Sequence, residues 1–214
     1  MKFETRKLTA IAMLCTLAWT ITAVGRIPIV LFLKYDPKDI IITIGGFIFG
    51  PLSALAVTVV VAFLEMFTLS ETGIIGFIMN IISGAAFACT ASFIYKKKRS
   101  LAGAVTGLVM GCIAMTSIML LWNYLITPLY INTSREEVAG MLLPIFLPFN
   151  LLKSGINAAA IMLLYKPLSK PLRHFALPST SDPIEKRVNP GVIIVSLFVL
   201  ISCVLIVLSI QGII

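Results

Sequence analysis

Apolar residues fill this chain in long, nearly unbroken blocks, separated by short polar or Gly/Pro-containing breaks. A block of roughly 20 apolar residues is long enough to cross a hydrocarbon layer as a helix. The pattern predicts span one over residues 8–24, followed by a loop over 25–39. Span two, residues 40–49, is too short for an upright crossing and stops at the breaker pair Gly50-Pro51. Such a segment is tolerated where it is tilted, broken or buried against protein. Span three covers residues 52–69, and Ser70-Glu71-Thr72-Gly73 makes a turn with Ser70 or Thr72 as an N-cap. Span four is 74–95, closed by Lys96-Lys97-Lys98-Arg99, and span five is 101–126. Residues 127–140 read as a loop. Span six is 141–164, started or kinked by Pro144 and Pro148. A polar segment over 166–189 precedes span seven at 192–214.

Composition makes the membrane reading firm. The chain is 59% hydrophobic and 12% charged, with mean hydropathy +1.04, against roughly 25% charged residues in soluble domains. The expected class is an all-α integral membrane protein. Three segments follow: a six-helix membrane domain over 1–170, a cytoplasmic linker over 171–191, and an additional transmembrane helix over 192–214. The formal charge of +8 is read as topology rather than as a nucleic-acid surface, since no aromatic-basic pattern accompanies it. Cys15, Cys89, Cys112 and Cys203 all lie inside apolar runs without metal-type spacing, and read as small buried residues. Lys2, Arg6 and Lys7 before an apolar run resemble a signal peptide, but the run is expected to stay as the first helix.

Charge then orients the spans. With the N-terminus in the cytoplasm, twelve of the seventeen Lys and Arg residues fall inside, including Lys96–Arg99, Lys166, Lys170, Arg173, Lys186 and Arg187. Arg26, Lys34, Lys38 and Arg135 fall outside, and the C-terminus is external if span seven crosses. Lys153 is the exception, because it sits within an apolar span. Charges there are expensive and mark functional sites, the alternative being a lysine that snorkels to the interface. Asn150 lies three residues earlier on the same helical face. Orientation gathers these two with the external Lys34-Tyr35-Asp36 loop, with Asn123 and with Asn80, all in the outer half. Asparagine offers a paired donor and acceptor that complements an amide-like ring edge, as in an isoalloxazine or a pyrimidine. Tyr35, Trp122, Tyr124, Tyr130 and Phe149 are candidate walls. Taken singly, Asn80 or Asn123 equally fits a structural bond to a helix backbone.

Other chemistry is missing. Gly45 and Gly50 have phosphate-loop spacing, but Pro51 and Leu52 stand where Lys and Ser/Thr are required. There is no zinc-protease or nucleophile-elbow motif. The single histidine, His174, falls in the cytoplasmic segment and reads as a surface residue. Glu65 reads as an interfacial carboxylate near an outer helix end, with a proton relay as the alternative. Asn132-Thr133-Ser134 matches a glycosylation sequon, to which no weight is given.

Four features occur together: a basic, small-residue-rich first helix, Leu33-Lys34-Tyr35-Asp36-Pro37-Lys38-Asp39, Trp122-Asn123-Tyr124 with Ile126-Thr127-Pro128 and Tyr130, and Pro148-Phe149-Asn150-Leu151-Leu152-Lys153 with Gly155. Over residues 5–170 the chain resembles the riboflavin-specific substrate-binding (S) components of energy-coupling-factor (ECF) vitamin transporters. The resemblance implies a six-helix fold that binds riboflavin near the external face and has neither catalytic activity nor a cofactor of its own. It implies Asp36 with its neighbours Lys34 and Tyr35 as a cap, and Asn123, Asn150 and Lys153 as hydrogen-bonding partners of the flavin, with Asn80 beside them. It also implies a transmembrane coupling (T) subunit docking at Ala12 and Thr16, and two cytoplasmic ATPases. Thr16 departs from the usual alanine, and span seven has no counterpart in the family. The alternatives are an S component for flavin mononucleotide, another vitamin or a nucleobase-like metabolite, and, from a different class, a membrane enzyme using Glu65 and Lys153.

Overall fold

The computed structural model describes residues 2–30, 33–70, 72–176 and 190–210. Expectations for Glu71 in the turn, for linker residues 177–189, for the end of span seven at 211–214 and for the His174 side chain lie outside what is described. The chain is almost entirely helical, and six of its helical stretches are long and apolar enough to cross a membrane among the described residues. It is a multi-pass membrane protein.

Helix α1 spans Lys2–Gly25. The segment expected as loop is instead an antiparallel hairpin, β1 (Ile27–Val30) with β2 (Leu33–Tyr35), Ile27 facing Tyr35. Ile29, Leu33 and Tyr35 turn inward, onto a buried cluster with Val138, Phe146 and Phe149. The apolar alternation of a strand was present in the sequence, but too short to be distinguished from the adjoining spans.

Helix α2, Lys38–Phe49, has 12 residues, or about 18 Å at 1.5 Å each, against a hydrocarbon layer of about 30 Å. It is a buried half-crossing: Lys38, Asp39, Ile40, Ile42, Thr43, Ile44 and Phe47 are all inside the bundle. Gly50 adopts φ 95°, a conformation open mainly to glycine, and Pro51 begins α3 (Pro51–Thr68) at the position where its missing N–H costs nothing. Gly46 lets α2 approach its neighbours, since a Cβ there would lie 2.9 Å from Ala54 Cβ and against Ser92. Gly46→Ala is expected to lower thermal stability in detergent by about 1–3 kcal/mol, the usual cost of overpacking. An unchanged melting temperature would refute it.

Helix α4 (Gly73–Lys97) contains a π turn at Ala85–Cys89. Helix α5 (Leu101–Ile131) is capped by Ser100, which accepts from Gly103 N at 3.1 Å. Gly107 and Gly111 permit a close crossing, because Cβ atoms there would lie 2.7 and 2.9 Å from the carbonyls of Ala91 and Phe87. The expected loop over 127–140 largely disappears. Helix α5 continues through Pro128 and ends at Asn132, in the left-handed region with φ 52°. Ser134 then caps α6 by accepting from Glu137 N at 3.2 Å. Helix α6 comprises Arg135–Met141, a π turn at Leu142–Phe146 holding Pro144, and Leu147–Ala176. It therefore continues beyond the end expected at residue 164. Thr72 makes no side-chain capping bond; Ser70 Oγ accepts from Thr72 N instead. Helix α7, Pro190–Ile210, packs along α6.

Candidate functional site

The hairpin, the turn between α3 and α4, and helices α4, α5 and α6 line a cavity at the hairpin end of the bundle. Its atom-free space, counted together with the part open to the outside, is ≈ 910 Å³. Six of the seven expected ligand residues line it: Lys34 and Asp36 from the hairpin, Asn80 from α4, Asn123 from α5, and Asn150 and Lys153 from α6. Tyr130, Phe149, Met79 and Met119 add apolar wall, and Arg26, Ser83 and Thr72 add polar groups.

Tyr35 does not line the cavity. It is buried in the cluster with Val138, Phe146 and Phe149, and its hydroxyl donates to Asn157 Oδ1 at 2.9 Å. Burial first, then Asp39 and Asp36, raise its phenol above the ordinary value, so it stays a donor. Trp122 and Tyr124 are not walls either. Trp122 packs against the core and Tyr124 faces outward.

Beneath the cavity lies a charge network that sequence reasoning missed. Arg26 Nε donates to Asp36 Oδ1 at 2.7 Å, and Arg26 also donates to Leu69 O at 2.8 Å, tying the hairpin to the end of α3. Lys38, expected as an exposed loop charge, is 2% exposed. It is ion-paired with Glu65 and stands 3.9 Å from Asp36. Glu65 is not interfacial but completely buried, and it also accepts from Asn80 Nδ2 at 3.0 Å. Lys153 Nζ lies 4.0 Å from Asp39 Oδ2, which Asn157 approaches at 3.4 Å. Arg26, Lys38 and Lys153 thus balance Asp36, Asp39 and Glu65. Such balance makes burial of the charges tolerable, since an unpaired buried ion costs several kcal/mol. Burial alone would raise the Asp36 carboxyl, but Lys38, Lys153 and Arg26 together hold it below the ordinary carboxylate range.

The asparagines are anchored by their own helices. Asn123 Nδ2 donates to Met119 O and Asn150 Nδ2 to Phe146 O, each at 2.7 Å. Asn123 Oδ1 also accepts from Thr127 at 2.9 Å. An amide NH₂ has a second hydrogen, so one backbone bond fixes the group without exhausting its donors. Lys153, at 6% exposure, brings three donors to a loose ion pair. The site is therefore a wall of oriented hydrogen-bonding groups over a balanced charge network. The signal available in the sequence for Lys38 and Glu65 was their opposite charge next to apolar spans, but pairing them required knowing that α2 is buried between α3 and α4.

A family model described as "ECF transporter, substrate-specific component" matches residues 6–165. The riboflavin transporter RibU of Staphylococcus aureus (strain TCH60) is 31% identical over 180 residues, covering 79% of this chain and 94% of that protein. RibU of Streptococcus thermophilus (strain ATCC BAA-250 / LMG 18311) is 31% identical over 177 residues, covering 77% and 83%. A solved structure of the S component of a bacterial ECF transporter aligns with TM-score 0.66 at 29% identity, covering 79% of this chain and 99% of that one.

Proposed function

The chain belongs to the substrate-specific components of ECF transporters, and from that premise we propose that it captures riboflavin at the external face and delivers it inward for an ATP-driven importer. Members of this family are transport subunits rather than enzymes. The observation that carries the reading is the cavity at the hairpin end, where Asn80, Asn123, Asn150 and Lys153 meet under Asp36. The amides suit the polar edge of a flavin ring, Tyr130 and Phe149 its faces, and Lys153 with Asp36 the hydroxyls of a polyol chain. A ligand placed there meets groups already oriented by backbone bonds, which limits the ordering cost of binding.

The N-terminus is cytoplasmic in this reading, which puts the cavity outside and the exposed Lys96–Arg99 cluster inside. Energy comes from partners: a coupling (T) subunit and two cytoplasmic ATPases. The T subunit docks on α1 at Ala12 and Thr16, both exposed. Thr16 Oγ1 donates to Ala12 O at 3.1 Å. The hydroxyl is thereby satisfied within its own helix, and the small surface stays open to close helix contact.

Purified protein is expected to quench riboflavin fluorescence at one ligand per chain with nanomolar to micromolar affinity. Competition by flavin mononucleotide, thiamine and biotin sorts the ligand class. Absence of flavin binding by folded, monodisperse protein would overturn the reading, and displacement by an unrelated vitamin would reassign it.

A further inference from the structure

The helix α7 begins 25 residues after the family model ends at residue 165. Its surface is apolar, with mean hydropathy 3.2 over Pro190–Ser209, and only 11% of that window is buried. The buried part is specific. Ser196 is inside, and Cys203 Sγ lies 3.5 Å from where a Gly155 Cβ would be, so α7 rests on a notch in α6. Further along, Val207 packs against the cluster formed by Ile29, Leu33, Phe146 and Phe149. Leu33 and Phe149 also line the cavity. Helix α7 therefore meets the hairpin at β1 and reaches the cluster that backs the cavity.

We infer that α7 is a brace for the hairpin that closes the cavity, with Val207 as its positioning residue, and that it lengthens the residence of bound ligand. The inference rests on the flavin-binding reading above. Leu33 is the first residue of β2, so a hairpin lifting off the cavity must pull Leu33 and Ile29 out of the cluster that Val207 completes. Every apolar contact added on the far side raises the cost of that opening. Changes at one contact surface act mostly on dissociation rather than association. Helix α7 lends no residue to the cavity lining; it acts through β1 and the cluster it packs against.

The test uses the full chain. In Val207→Ala the koff of riboflavin, followed by stopped-flow fluorescence, is expected to rise about three- to tenfold, the range set by loss of two half-buried methyl groups. Gly155→Leu fills the notch under Cys203 and is expected to shift koff in the same direction. Val204→Ala, on the exposed face of α7, leaves it unchanged. Hydrogen exchange of the hairpin amides, measured without ligand, is expected to quicken in Val207→Ala and Gly155→Leu but not in Val204→Ala. Parental binding with unchanged koff and unchanged hairpin exchange in both variants would overturn the brace. A parental chain that binds no flavin would overturn the function instead, and the exchange measurement would still decide the brace.

Discussion

Lys153→Ala is expected to weaken riboflavin binding by about ten- to a hundredfold, following the roughly 1.5–3 kcal/mol carried by hydrogen bonds to charged groups, and Asn150→Ala by about tenfold, the upper end of the roughly 0.5–1.5 kcal/mol of a neutral one. Lys153 is nearly buried, and its only ion pair among the described residues is the loose 4.0 Å contact with Asp39. Its ammonium thus keeps donors for a ligand. Removing Lys153 takes away the only ion pair of the buried Asp39 among the described residues and leaves it with Asn157 at 3.4 Å, its Oδ1 already lacking a partner. Lys153→Ala is therefore expected to lower stability as well as affinity. Asn150 carries no charge and makes one bond to its own helix, so its removal disturbs the network least. The measurement is the dissociation constant by fluorescence quenching on folded protein whose monodispersity matches the parent. Affinities within about twofold of the parent would make both residues purely structural.

The sequence showed the walls of this site but not its foundation. An amide or a lysine inside an apolar run is visible on inspection, and Asn80, Asn123, Asn150 and Lys153 were all found that way. The break at Gly50-Pro51 was equally legible, because few residues besides glycine adopt φ 95° and proline prefers the first turn of a helix. Lys38 and Glu65 escaped because their burial is not a property of their neighbours in the chain. Lys38 follows the polar Lys34-Tyr35-Asp36-Pro37 stretch, and Glu65 lies near the end of α3; each resembles an interfacial charge until α2 is seen to be buried. The loop expected at 127–140 failed for a local reason. Pro128 removes a single helical hydrogen bond, and α5 carries on to a left-handed Asn132. Tyr35 failed for a tertiary reason: Leu33 on the same strand face lines the cavity, but the Tyr35 side chain is buried in the cluster with Val138, Phe146 and Phe149 and its hydroxyl meets Asn157.

The second large effect concerns that foundation. Glu65→Ala is expected to destabilise the protein by about 3–5 kcal/mol, because it leaves the buried Lys38 ammonium with only the loose 3.9 Å contact to Asp36. Lys38→Met is expected to do the same to Glu65, whose Oε1 already lacks a hydrogen-bond partner among the described residues. The double variant Lys38→Met/Glu65→Leu should regain most of the loss, since an apolar pair of similar volume often replaces a buried ion pair without cost. Asp36 tolerates the exchange because Arg26 holds it at 2.7 Å. Affinity should not recover with stability. Lys38 anchors the foot of the hairpin on α3, and Glu65 orients Asn80 on the cavity wall; both constraints vanish in the double variant. The expected result is a well-folded protein with parental melting temperature and weaker flavin binding. Thermal unfolding in detergent and fluorescence titration on the same three variants decide it. A double variant as unstable as the singles would mean that the pair does not act as a closed unit, and full affinity in a stable double variant would detach the network from the site.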